Sequence, residues 1–340
     1  MKKIFRTFRQ RSFMLLSLVL FSAQAVAQTG EHTSFLLDHT NPANKGIQRA
    51  MNYLAFNDAA DREAIRDAIK RNGGNVAYIF LSNQGDVGPR SLANINPYTS
   101  WPLFGHPSAL DNNKVDNIWK PRIQELINDG IEPIFWLLAD DSPQTSEPGT
   151  PSDASQDNTV QLWQLRNHVA AMVNKFDSMA KSYVIGLEAD EYLTFGSLRN
   201  LAALLDGLTN KSVGLHLTSV DPSKPADLAR VQTWVTNVSN IDTYYHQYPF
   251  LTLPIPSSGT ILTPSEVKQQ TEIIKPLIGN KTFIASEYCL KSDTLACQAL
   301  GDAAIAGGAL HTGNGRTPPP SLGETRFIPY KRYLIPLSPQ

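Results

Sequence analysis

Apolar residues in this chain fall into short unbroken runs, and polar residues gather between them. Eight runs stand out: SFLLD (34–38), NVAYIFLS (75–82), EPIFWLLA (132–139), SYVIGLE (182–188), SVGLHLTS (212–219), IDTYYHQY (241–248), KTFIASEY (281–288) and AAIAGGALH (303–311). Most are continuously apolar rather than alternating, as strands buried on both faces are. Between them the pattern changes to that of amphipathic helices. DAADREAIRDAIKRNG (58–73) and NKVDNIWKPRIQELINDG (113–130) each end in glycine, and TVQLWQLRNHVAAMVNKFDSMAK (159–181) ends in a basic residue. LRNLAALLDGLTN (198–210), KPADLARVQTWVTNV (224–238) and TPSEVKQQTEIIKPLIG (263–279) continue the series.

Eight strands alternating with helices along 340 residues predict an α/β chain folded as a single (β/α)8 TIM barrel. An open doubly wound sheet is the rival, but no glycine-rich phosphate turn follows the first strand. The Pro-rich tail NGRTPPPSLGETRFIPYKRYLIPLSPQ (314–340) predicts a last helix that is missing or irregular. Two connections are long, 83–113 and 140–157, and both follow strands. In a barrel they lie on the face where strand C-termini converge, and loops of this length are usually either functional or disordered.

The first residues read as a targeting segment. A basic stretch (MKKIFRTFRQR), an apolar stretch (SFMLLSLVLFSA) and Ala25–Ala27 predict a signal peptide over 1–27 and a barrel domain over 28–340. The apolar stretch is shorter than the roughly 20 residues of a membrane span. The expectation is a secreted or periplasmic protein without stable membrane insertion after cleavage. A net charge of -1 gives no electrostatic footprint for nucleic acid. Oligomeric state is left open. Two cysteines, Cys289 and Cys297, either pair across a short loop, which an oxidising compartment permits, or stand as separate thiols.

Candidate chemistry gathers at the strand ends. GLEADEYLT (186–194) puts Glu188, Asp190 and Glu191 directly after the fourth run, and Glu287 ends the seventh. Asp38, Asp86, Asp140 and Asp141 fall on the same predicted face, where Asp38 and Asp86 are read as solvated. Two carboxylates across a pocket suit glycosidic bond cleavage: one protonates the leaving oxygen, the other attacks or activates water. Trp101, in the first long loop, is read as a sugar-stacking surface, with Asp140, Asp141 and His311 lining the pocket. Trp136 is read as core, and His216 as either core or pocket.

YVIGLEADEY resembles the fourth strand of the retaining clan of (β/α)8 glycoside hydrolases that includes cellulases and mannanases, where an apolar run ends in Asn-Glu; here Asp190-Glu191 occupies that pair. FIASEY is similar to the clan's seventh strand, which ends in the nucleophile, and YYHQYPF to its sixth. The resemblance implies Glu191 as acid/base and Glu287 as nucleophile, with Asp190, Glu188, His246 and Tyr248 beside the sugar and no cofactor. Glu188 is the competing acid. The clan's Asn is Asp190 here, strand two has no Arg in YIFLSNQ, and strand eight ends in His311 rather than Trp.

The expectation is an exported glycoside hydrolase acting on a polysaccharide. The crowded negative charge suggests an amino-sugar polymer, since cationic ligands offset it. One alternative is a carbohydrate-binding barrel without catalysis. Another is a metal-dependent deacetylase built on Asp140-Asp141, although no His-x-x-x-His spacing accompanies that pair.

Overall fold

The computed structural model describes residues 47–49, 53–55, 57–71, 75–82, 96–99, 103–138, 160–249, 262–287 and 294–312. Eight strands lie side by side in chain order: β1 (Ile47–Arg49), β2 (Val76–Phe80), β3 (Glu132–Leu138), β4 (Ser182–Gly186), β5 (Val213–His216), β6 (Thr243–Gln247), β7 (Thr282–Glu287) and β8 (His311–Thr312). Every neighbouring pair is parallel. Parallel neighbours need a crossover. It is supplied by α1 (Ala59–Arg71), α2 (Asn112–Lys114) with α3 (Lys120–Asn128), α4 (Leu162–Phe176), α5 (Phe195–Leu208), α6 (Pro225–Val231), α7 (Pro264–Ile274) and α8 (Thr294–Ala306).

The sheet is curled. Tyr78 on β2 and Tyr245 on β6 touch edge to face at 5.7 Å, and Trp136 on β3 meets Tyr245 at 5.6 Å. In a flat sheet, strands four places apart would lie ~19 Å from one another. These rings, with Phe80, Val184 and Ile284, form an apolar cluster inside the curl. A second, larger cluster fills the layer between strands and helices. Successive residues therefore go alternately inward and outward, and both sets are apolar because both faces are covered. Gly214 makes the inner packing possible: a Cβ there would stand 2.4 Å from the Tyr245 ring.

The helices follow their sequence signals. α4 buries Leu165, Val169, Met172, Val173 and Phe176 at helical spacing. Thr263 and Glu266 close a capping box on α7. α2 and α3 are joined by a π-turn, Val115–Trp119, in which Lys120 N–H bonds Val115 C=O. Pro121 has no N–H to continue the ordinary ladder, and the wider turn absorbs that loss.

Two ends of the predicted strand set differ from the structure. SFLLD (34–38) lies outside the described residues, and Ile47–Arg49 takes the first place in the sheet. The run 303–311 was expected as a strand, yet its first four residues finish α8, and β8 begins only at His311. Alanine-rich apolar sequence without β-branched residues suits a helix better than a strand. The tail after Thr312 lies outside the described residues.

Candidate active site

β4 ends at Gly186, and the turn that follows is strapped onto the ends of β3 and β5. Leu187 N–H bonds Leu138 C=O at 3.3 Å and Ala189 N–H bonds His216 C=O at 2.9 Å. Glu188 N–H donates to His216 Nδ1 at 3.0 Å. That bond makes Nδ1 the acceptor, so a neutral His216 carries its proton on Nε2. Glu188 sits at φ +50, the only described non-glycine residue with positive φ. Such a conformation costs roughly 1–2 kcal/mol and persists where its surroundings hold it. Here the holder is His216, buried in the sheet and tilted against Trp136 at 5.4 Å. Glu191 follows three residues on, its N–H bonded to Glu188 C=O at 3.0 Å. Both glutamates are partly exposed.

Asp190, between them, has an internal role. One oxygen accepts from Thr218 N–H at 2.7 Å, and the other from Thr218 Oγ1 at 2.6 Å. Arg230 of α6 pairs with it at 2.5 Å, and the side chain is 5% exposed. Arg230 also reaches Ser219 C=O and Asp227. Asp190 was expected to touch substrate. In the structure its charge is balanced by Arg230, and it ties the turn after β4 to the loop after β5.

His246 and Tyr248 were expected beside the sugar, and the structure places both on the outer side of their strand. Tyr245 belongs to the inner cluster, so alternation sends Tyr244, His246 and Tyr248 outward to the helices. His246 Nδ1 lies 3.1 Å from Tyr244 Oη, and its ring packs edge to face on Tyr248 at 4.3 Å. Burial, with the proximity of His216 and the Arg230 charge, holds its pKa well below the ordinary histidine value. The Tyr248 hydroxyl meets Thr271 of α7. Neither residue belongs to the inner face.

The inward residue of that strand end is Gln247, which the reading of motifs missed. Counting by twos from Tyr245 would have found it. Gln247 pairs with Glu287 across a register shift, whereas His246 pairs with Ala285. Without that shift Ser286 would stand opposite Gln247; with it, Glu287 does. Four polar atoms, from Ser82, Trp136, Gln247 and Ser286, are buried with no hydrogen-bond partner within the protein: Ser82 Oγ, Trp136 Nε1, Gln247 Oε1 and Ser286 Oγ. By alternation Ser82, Trp136 and Gln247 face inward, just past β2 and in the C-terminal halves of β3 and β6, and Ser286 lies at the register shift near the end of β7. Buried polar atoms are rarely left unpaired, and those that are await water or a ligand.

Of the remaining expected residues, Glu287 ends β7, and His311 opens β8 with its backbone in register with Ile284. Trp101, Asp140 and Asp141 lie outside the described residues, as do Asp38, Asp86 and Cys289. Among the described residues no group of three or more His, Cys, Asp or Glu side chains is placed to hold a metal ion. No described helix is long and apolar enough to cross a membrane.

Comparison with known proteins adds the fold class. No protein-family model matches the chain, and no curated protein matches it. Among solved structures, it is similar to an endo-1,4-beta-D-mannanase from Thermotoga petrophila RKU-1, with 12% identity, TM-score 0.56, and coverage of 85% of this chain and 94% of that one. It is also similar to an endo-1,4-beta-mannanase from Rhizomucor miehei, with 15% identity, TM-score 0.53, and coverage of 79% and 84%. A glycoside hydrolase family 5 protein from Bacteroides vulgatus ATCC 8482 matches at 9% identity and TM-score 0.51, over 79% of this chain. The chain spans 58% of that protein's length and 60% of another similar structure, also a glycoside hydrolase. At these identities the likeness is one of fold. The structural neighbours are glycoside hydrolases, in keeping with the clan that the strand motifs resemble.

Proposed function

We propose that the protein is an exported glycoside hydrolase that cleaves a polysaccharide by a two-carboxylate retaining mechanism. The observation that carries this reading is that two glutamates, Glu191 in the turn that follows β4 and Glu287 at the end of β7, stand at the same end of a curled parallel sheet. Unpaired polar atoms at that end suit the hydroxyls of a sugar. Closure of the sheet into a ring through β8 and β1 belongs to the same reading, as does cleavage of residues 1–27.

In this mechanism Glu287 attacks the anomeric carbon and Glu191 protonates the leaving oxygen. Water then enters as Glu191 takes its proton, and the glycosyl–Glu287 bond breaks with net retention. The aromatic floor of Tyr78, Trp136 and Tyr245 keeps the lower barrel dry, so the chemistry stays at the rim. The amino-sugar expectation loses one of its supports, because Asp190 is balanced by Arg230. The same observation favours a second reading, a carbohydrate-binding barrel without catalysis, since the residue preceding the acid is unavailable to sugar.

The deciding experiment incubates the purified chain with a panel of polysaccharides and reads reducing ends, with the product anomer followed by NMR. Glu287→Gln and Glu191→Gln should each lower kcat by about a hundredfold to ten-thousandfold, with binding retained. Glu188→Gln should have a much smaller effect; the reverse ranking would make Glu188 the acid. Absence of reducing ends alongside retained polysaccharide binding would establish the non-catalytic reading.

A further inference from the structure

Trp163 departs from the pattern of the other described tryptophans. Trp119 and Trp136 are buried and Trp234 is partly buried against Phe195, whereas Trp163 is 49% exposed. It stands in the first turn of α4, at the end of the molecule where strands finish, because α4 follows β3. Beside it lies the turn 103–106, in the segment that follows β2. His106 meets the Trp163 indole edge to face at 6.1 Å, and Leu103, whose carbonyl takes the His106 N–H, is 43% exposed on that turn.

The seat beneath the indole is rigid. Gly105 has φ +69, and a Cβ there would stand 2.1 Å from Gln164 C=O, so the turn lies directly on the α4 backbone. Gln164 Nε2 donates to Phe104 C=O at 2.9 Å. Below, Phe104 packs tilted on His168 at 4.6 Å and edge to face on Tyr98 at 5.3 Å. His168 Nε2 lies 2.8 Å from Leu137 C=O, which fixes the stack to β3. A large apolar ring on an ordered seat, open to solvent, costs hydrophobic free energy unless something covers it.

We propose that Trp163, edged by His106, is an outer sugar-stacking platform that holds a neutral pyranose chain at the rim, beyond the strand-end carboxylates. The proposal rests on the glycan-cleaving reading of that end. The size of the patch selects the occupant. One indole and one leucine fall far short of the roughly 800 Å² that a stable protein partner covers, but they match the apolar face of one sugar ring. Hydrogen-bonding groups border it: the Ser108 hydroxyl lies 2.8 Å from His106 Nδ1. Equatorial hydroxyls of a stacked ring would find such partners at its edge.

The test is native affinity electrophoresis of the full chain in gels cast with galactomannan, with hydroxyethylcellulose, or without polysaccharide. The parent should be retarded by at least one polymer. Trp163→Ala should weaken that retardation by about fivefold to tenfold in Kd, as befits one stacked ring, and Trp163→Phe should stay within about twofold. Cleavage of a short aryl glycoside should be unchanged in both variants. Retardation of Trp163→Ala equal to the parent's, or no retardation of the parent in either gel, overturns the platform. Failure of the catalytic reading would look different: retardation intact and sensitive to Trp163, with no reducing ends released.

Discussion

The polar groups between α1 and α3 and those at the strand ends are handled in opposite ways. Between the helices, Glu125 takes a bidentate pair from Arg62 at 2.8 and 2.9 Å, a third bond from Arg66 at 2.8 Å and a fourth from the Tyr53 hydroxyl at 2.8 Å. Arg66 also pairs with Asp129 at 2.7 Å. Burial pushes the Glu125 pKa up, but the bonds from Arg62 and Tyr53 and the nearby Arg66 charge outweigh it and leave the carboxyl below its usual value. At the ends of β2, β6 and β7, by contrast, Ser82, Gln247 and Ser286 bury polar atoms with no protein partner. The first group spends its hydrogen-bonding capacity on the fold; the second keeps it for water or a ligand. Asp190 resembles the first group although the sequence motif would put it in the second.

Acid should produce the largest effect, and it acts on groups committed to the fold. Burial lowers the His168 pKa to about 4, against the partial opposition of its bond to Leu137 C=O. Between the ordinary histidine value near 6.5 and about 4, the unfolded chain binds a proton that the folded chain refuses. Stability is therefore complete above pH 6.5 and falls as pH drops through that window, by on the order of 3 kcal/mol. His246 moves in the same direction. Urea midpoints from pH 7.5 to 4.5 should show the slope, and His168→Gln should flatten it.

Asp190→Asn should cost about 2 kcal/mol, below the 3–5 kcal/mol of a fully buried pair because Arg230 is 23% exposed. An unchanged melting temperature with altered substrate preference would return Asp190 to the ligand-facing group. Glu125→Ala should cost about 1–2 kcal/mol, discounted because its carboxylate is 30% exposed, and it should leave kcat/KM unaltered. Ser286→Ala should do the reverse. Removing an unpaired hydroxyl should shift stability by no more than about 0.5 kcal/mol, while a lost sugar contact should lower kcat/KM about tenfold. Loss of stability without loss of rate would show that an internal water, not a ligand, occupies that hydroxyl.

Much of the architecture was legible in the chain because burial on both faces leaves an uninterrupted apolar run. The runs 75–82, 132–139, 182–188, 212–219, 241–248 and 281–288 each contain a strand. Where a run was ambiguous, as at 303–311, periodicity could not separate strand from helix, and the alanine content that decided it is a weaker signal. The catalytic candidates Glu188, Glu191 and Glu287 could be named because they end or directly follow apolar runs, a property of chain order. The partners of neighbouring residues were another matter. Whether His246 or Gln247 faces inward depends on which face Tyr245 takes, and that is settled by the packing of Tyr245 against Tyr78 and Trp136, residues more than 100 positions away. The commitment of Asp190 to Arg230, forty residues on, likewise arises only when β4, β5 and α6 are brought together. Sequence determined which segments are buried, since transfer from water is local to each side chain. Tertiary structure alone decided which polar groups are paired, since a hydrogen bond needs both partners in place.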